Sequence, residues 1–456
     1  MSAKLIFSFD SEDYETPAAD DAELWWAEAM TRHGLRASVC VVGELARALD
    51  ERGRRDVLDA WRRHEIAYHS DMHSAHPTHA EYLEVMDWDA GCRRVSAEEG
   101  RGLRDVRRLT GRQPIAHCKP GASWGPQVAA TLERLGVPVF CDAPYEWAPG
   151  LPAWYCGSLL LKYQHHFDGY FADPTDRVAR MQRDLVAKLE ATPSDGYLVM
   201  YTHPCRLVTA SFPQNFTAGR NPPREAWRPA PLRPAAEAAA LQRDFDDFLR
   251  WVGEELRPEM GSYQGLFQQR ASRLITRVEP EAAARLAERV PARPAPIRWE
   301  GGWLSAAEQW EVVVGLVGWE SVPRRLSSPL GPVEAAASLE QPLRVPFAML
   351  QDACRQAAES AATQGRLPAS VAMNGAVVGP NALLQAARAA ALHREETGAW
   401  PAETTLRPAE ETPALAERED IARVRYQRTW SIFPPEFEGW ELLRQARRQL
   451  WTMKPA

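Results

Sequence analysis

The side chains best suited to acid–base or metal chemistry stand where short apolar runs of the N-terminal half come to an end. The stretch "LIFSFDSEDY" delivers Asp10, Glu12 and Asp13, and "EIAYHSDMHSAHPTH" delivers His69, His73, His76 and His79. Later runs end in Lys119, Asp142 and His203. A strand alternates its faces, so Ser8, Asp10 and Glu12 share one side while Phe7, Phe9 and Ser11 share the other. Asp10 and Glu12 then reach one space, and Asp13 is the odd one out, a cap or loop acceptor, with Asp13 in place of Glu12 as metal ligand the alternative. The four-residue spacing of His69 and His73 puts both rings on a common face of a helical turn. Two histidines with one carboxylate are the donor set of a divalent metal site that keeps positions open. Such a site polarises a carbonyl and acidifies water. It also needs a carboxylate outside the metal shell as base and a second group to protonate the leaving atom. Asp10 suits the first role and His203 the second.

These residues need a frame that brings strand ends together. From the N-terminus to about residue 260, apolar strand-like runs ("KLIFSFD", "RASVCVVG", "EIAYHS", "PIAHCKPG", "VPVFCDA", "GYLVMYTHP") alternate with charged helical stretches. Strand and helix in alternation predict parallel strands with helical crossovers, an α/β class. Six or more such units favour a closed or nearly closed barrel, whose reactive residues gather at the C-terminal strand ends. The Pro- and Asn-rich stretch "CRLVTASFPQNFTAGRNPPREAWRPAPLRP" lacks periodicity and reads as a lid, a substrate wall or a disordered segment. A helix over "AAEAAALQRDFDDFLRWVGEEL" closes the first domain.

The remaining organisation reads as residues 1–268 catalytic, 269–300 a Pro-stiffened linker, and 301–456 a mainly α-helical accessory domain. In the last part Ser305 followed by Glu308 is a capping-box signature. Gly331-Pro332 and Gly379-Pro380, each before an Ala-rich stretch, suggest a loose internal repeat. The acid-, Pro- and Thr-rich stretch 401–429 reads as weakly structured.

Bulk properties exclude several classes. A length of 456 residues calls for two or three domains, and a net charge of −7 asks for neither nucleic acid nor an acidic membrane. Seven scattered cysteines without CxxC spacing argue against a disulfide framework. No basic-plus-apolar leader opens the sequence and no run has transmembrane length, so the cytoplasm is the expected compartment. A homo-oligomer is compatible with this composition.

In order, "FSFDSEDY", "HSDMHSAHP", "KPGASWGP", "DAPYEW" and "LVMYTHP" resemble the five motifs of polysaccharide deacetylases (carbohydrate esterase family 4), and "ASVCVVGELA" resembles that family's second strand. The resemblance spans roughly residues 1–265. It implies a distorted, incomplete (β/α) barrel and metal-dependent hydrolysis of an N-acyl group, typically acetyl on an amino sugar. It implies Asp10 as base, Glu12, His69 and His73 as metal ligands, and His203 as general acid. Zinc is the first expectation for the metal, with Ni2+, Co2+ and Fe2+ as alternatives. The sequence departs from the family pattern by carrying a glutamate two residues beyond the base in place of an adjacent aspartate. It also carries Lys119 where an arginine braces the base, and lysine offers a point charge without a planar fork. Asp142 matches the motif region that orients the acid histidine.

Trp124 and Trp147, at strand ends, are candidate sugar-stacking platforms, and Phe212, Asn215 and Phe216 of the long loop are candidate substrate contacts. His165 and His166 line the pocket or pack. Cys118 and Cys205 read as small buried thiols. The stretch "GRLPASVAMNGAVVGPNALLQAA" resembles pseudomurein-binding cell-wall repeats, with a helical packing domain as the alternative. Two rival readings are a hydrolase of a small non-sugar amide, with or without metal, and a sugar-binding protein that has lost catalysis.

Overall fold

β-Branched and aromatic runs bounded by charged helices build a parallel sheet, in a computed structural model that describes residues 3–213, 226–322, 325–426 and 433–456. The chain divides into two compact units: residues 1–152, 158–270 and 425–439 in the first, and residues 153–157, 271–424 and 440–456 in the second.

Strands of the catalytic half follow in chain order as β1 (Lys4–Ser11), β2 (Ala37–Val41), β3 (Glu65–Tyr68), β4 (Ala116–Cys118), β5 (Val139–Cys141), β6 (Ala153–Tyr155), β7 (Ser158–Leu160), β8 (His165–His166) and β9 (Tyr197–Thr202). β6 is grouped with the second unit. The strands of the first unit are ordered β7-β5-β4-β3-β2-β1-β9-β8. Every neighbouring pair is parallel, with Asp10 opposite Cys40 and Ser8 opposite Tyr201. Helices Ala19–Arg32, Arg55–Trp61, Trp88–Thr110 and Pro126–Arg134 make the crossovers that parallel pairing requires. The sheet curls into a half-barrel, the distorted (β/α) barrel expected from the alternation, with β7 and β8 at opposite ends of the order.

Side-chain contacts divide β1 by face. Ser8 and Asp10 meet the Tyr163 hydroxyl in the interior. Phe7 packs on Phe167, Phe9 on Trp26 and Ser11 on Glu23, all on the opposite side. Both faces are covered, so β1 and β2 are buried almost throughout.

The second unit is organised around Trp310, whose indole donates to the Pro380 carbonyl at 3.1 Å. Helices Ala306–Trp319, Phe347–Gln364 and Pro380–Thr397 enclose an apolar core with Val313, Leu350, Leu383 and Leu406. Ser305 and Glu308 form the reciprocal cap. The linker expected over 269–300 is instead packed: Val278, Ala283, Leu286 and Trp299 enter a small core with Leu304 and Val312, because their apolar side chains find a continuous face. The segment over 401–426 likewise carries the strand Glu403–Leu406, paired with Leu343–Pro346. The Gly-Pro echo is not a structural repeat. Pro380 opens a helix, whereas Gly331-Pro332 leads into irregular chain. What recurs is a hairpin before a helix, Ile297–Leu304 and Val371–Val378, each turned by two residues of positive φ, Glu300-Gly301 and Asn374-Gly375. No helix among the described residues is long and apolar enough to cross a membrane.

Candidate functional site

β1 and β3 flank β2 in the sheet, and their exits carry the acids and imidazoles into one space. Glu12 Oε2 lies 2.7 Å from His73 Nε2 and 3.3 Å from His69 Nε2. The two rings are 4.9 Å apart between centroids. His69 Nδ1 donates to the Cys118 carbonyl at 2.6 Å. A carbonyl only accepts, so Nδ1 carries a proton directed there, and Nε2 is the atom that faces Glu12. The ligating atoms of Glu12, His69 and His73 all fall within 4.8 Å of one another. Two imidazole nitrogens and a carboxylate converging on one buried point fit a divalent cation.

The helical turn expected for His69 and His73 is absent. Residues 69–78 form an irregular loop in which Ser70 and His73 have φ of 66° and 54°. Asp71 fastens that loop. Its amide donates to Glu99, and its carboxylate accepts from Arg47 at 2.8 Å and from Arg101 at 2.5 Å. Two glycines make room for it. A Cβ on Gly43 would stand 2.5 Å from Asp71 Oδ1, and one on Gly102 would stand 2.2 Å from the Tyr68 hydroxyl. His76 and His79 pair with Glu81 and Glu99 at 2.7 and 2.6 Å. Asp13 accepts from the amides of Glu15 and Thr16, the loop-acceptor role expected of it.

Asp10 stands beside this cluster. Tyr163 donates to its Oδ1 at 2.7 Å, and His203 Nε2 lies 3.9 Å from its Oδ2. Burial pushes the Asp10 carboxyl up to about 6, against the opposing pull of His69 and His203. Burial works the same way on Glu12, but the imidazoles of His73, His203 and His69 outweigh it and hold that carboxyl well below its usual range. The two acids are thereby driven apart in acidity.

His203 follows β9, and its Nδ1 donates to Asp168 Oδ2 at 2.8 Å. Burial disfavours the imidazolium, yet Asp168 and Glu12 together raise His203 to about 10. Asp168 also accepts from the Thr202 hydroxyl and the His203 amide. The arrangement is an imidazolium braced at Nδ1 with Nε2 turned towards Asp10.

Several expectations are redirected. Lys119 pairs with Asp142 at 2.5 Å and with the Gly121 carbonyl, not with Asp10. Asp142, at φ 54° and engaged by Lys119, does not orient His203. Asp168 does so, from the "HHFDGYF" segment in which only the histidines attract notice. Trp124 is buried against Tyr145 and Tyr426, so its faces are taken. Trp147 is half-buried in the turn after β5. Phe212 is brought to the site, its ring 4.8 Å from His203. Asn215 and Phe216 lie outside the described residues. His166 stacks on Tyr201 at 4.6 Å, and Tyr201 on Tyr163 at 4.2 Å, forming an aromatic wall that ends beside Asp10. His165 is buried and bonded to Tyr170. Tyr163 and Asp168 are the two site residues that sequence reasoning missed. No spacing marks either of them.

No family model matches this chain. No curated protein matches it. Solved structures similar to it include polysaccharide deacetylases. A candidate polysaccharide deacetylase from Mycobacterium smegmatis is 17% identical, with a TM-score of 0.35 over 61% of this chain and 95% of that one. A family 4 carbohydrate esterase from Streptomyces lividans, solved with acetate, is 14% identical, with a TM-score of 0.30 over 55% and 90%. A pseudoenzyme of the same esterase family from Bacillus anthracis is 11% identical, with a TM-score of 0.29 over 45% and 57%.

Proposed function

We propose that the protein is a metal-dependent hydrolase that removes an N-acyl group, acetyl first among them, from an amino sugar or short oligosaccharide. The observation that carries this reading is a base and an acid set together next to a two-histidine, one-carboxylate cluster. Asp10, held by Tyr163, and His203, held by Asp168, approach to 3.9 Å beside Glu12, His69 and His73.

Glu12, His69 and His73 would hold a divalent cation, with zinc the first candidate. When bound, such a cation polarises the acyl carbonyl and lowers the pKa of water. Asp10 takes the proton from the attacking water through the oxygen that Tyr163 leaves open. His203 Nε2 delivers a proton to the departing nitrogen, because Asp168 keeps the ring charged and its Nδ1 occupied. Tyr163, Tyr201 and His166 present stacked rings along one side of the site and limit the water around the reacting groups.

The test is acetate release from a panel of N-acetylated sugars, with metal content measured in parallel. Asp10→Asn and His203→Ala should lose turnover while retaining metal. Full turnover in either variant contradicts the scheme. Release from a non-sugar amide and from no sugar transfers the same chemistry to the small-amide reading.

A further inference from the structure

Below Asp10 the barrel interior is lined with sulfur. Cys40 on β2, Cys118 on β4 and Cys141 on β5 point inward from three strands, and all three are fully buried. Cys118 and Cys141 are direct register partners, and their thiols are hydrogen-bonded. Cys40 Sγ lies 2.9 Å from Cys118 Sγ. Carbon atoms in ordinary contact sit about 3.5–4.0 Å apart, and sulfur is larger. Two sulfurs at this spacing are in direct contact and would have to part to ligate one cation together.

The surroundings are polar where a barrel floor is commonly apolar. Ser8 Oγ lies 3.1 Å from Cys40 Sγ, and the hydroxyls of Tyr163 and Tyr263 lie 3.9 Å from Cys40 and Cys118 respectively. The Asp10 carboxylate shares the space, since one ligating atom from each of Asp10, Cys40 and Cys118 falls within a 4.8 Å group. The other five cysteines, Cys141 included, join no such group among the described residues. Cys354, for example, is buried in the apolar core of the second unit.

We propose that Cys40 and Cys118, with Cys141 and Asp10 beside them, form a second cation site, selective for a soft, thiophilic d10 ion such as Cd2+ or Cu+. Softness separates it from the Glu12, His69 and His73 cluster, whose imidazole and carboxylate donors suit borderline ions. On binding, the thiols that ligate lose their protons to solvent, and the cation's charge offsets the thiolates formed. Ser8 can turn its hydroxyl proton to Cys40 and is itself held by the Tyr263 hydroxyl, the outer support that such a ligand needs. The binding claim stands apart from the hydrolase reading. Inhibition through Asp10 would follow only if both hold.

The test is a titration of the full chain with Cd2+ under a non-thiol reductant, followed by thiolate-to-cadmium absorption in the ultraviolet. A Cys92→Ser background is used, since Cys92 alone of the seven cysteines is not buried. The expected result is a saturable band whose amplitude matches one thiolate-bound cadmium per chain. Cadmium on Glu12, His69 and His73 contributes no such band, because that cluster holds no sulfur. Cys40→Ser and Cys118→Ser, made singly and together, should lose or weaken the band, whereas Cys354→Ser should keep it. Absence of the band in the parent chain overturns the proposal without any cluster variant having to fold. So does a band of unchanged intensity in any folded Cys40 or Cys118 variant.

Discussion

Tyr163 donates its phenolic proton to Asp10 at 2.7 Å, while Lys119 turns away to Asp142 at 2.5 Å. The base is thus held by a neutral donor, and the cation that the sequence offers for that task is engaged elsewhere. A neutral donor fixes the carboxylate's direction and lowers its basicity less than a paired cation would.

Tyr163→Phe removes that bond and leaves the ring. A hydrogen bond to a charged group is worth about 1.5–3 kcal/mol, on the order of 10- to 100-fold in rate. Steady-state kinetics should show kcat falling by that factor with KM and metal content nearly unchanged. Lys119→Ala should lower kcat less. A larger loss from Lys119→Ala than from Tyr163→Phe would reverse the assignment of the brace.

The alkaline limb of the pH profile should report His203. Asp168 raises that imidazole to about 10, so the acid form persists well above neutrality and is lost as pH rises through that value. Asp168→Asn removes the carboxylate that stabilises the imidazolium. The limb of kcat/KM should then move to lower pH, with a smaller kcat. An unmoved limb would mean that another group sets it.

Gly102→Ala should be felt at a distance from the acids. Its new Cβ would meet the Tyr68 hydroxyl at 2.2 Å and Asp71 Oδ1 at 2.7 Å. Overpacking of this kind costs about 1–3 kcal/mol. The displaced Asp71 also loosens the loop that carries His73. Thermal melts should show a lower Tm, and metal affinity should fall with it. Gly53→Ala, where nothing stands within 4 Å of the added carbon, should leave metal affinity unchanged.

In the second unit, Lys454 Nζ lies 2.6 and 2.7 Å from the two oxygens of Glu308, with side-chain exposures of 4% and 2%. Lys454→Met leaves the glutamate buried without its cation, a loss of about 3–5 kcal/mol. Denaturant unfolding should show the drop, and adding Glu308→Gln should recover part of it.

Much of this was legible in the sequence because it is local. The alternation of β1 separates Asp10 and Glu12 from Phe7 and Phe9, and the His69–His73 spacing announces a shared donor set. The loop that carries them is not the helical turn that the spacing suggests, since a four-residue spacing does not reveal positive φ at Ser70 and His73. The two braces were not legible. Tyr163 reaches Asp10 across 153 positions and Asp168 reaches His203 across 35, distances that only the curl of the sheet closes. Trp124 stands at a strand end, which alone makes it a candidate platform in the sequence. Its cover, Tyr426, comes from 302 positions away.

The account turns on a cation held by Glu12 in company with His69 and His73. Diffraction collected across the absorption edge of the metal bound to the purified protein tests this most directly. The account predicts one anomalous peak within bonding distance of Glu12 Oε2, His69 Nε2 and His73 Nε2, with Asp10 outside the ligand shell. A peak on Asp13, or none between the two imidazoles in protein that retains acetate release, would contradict it.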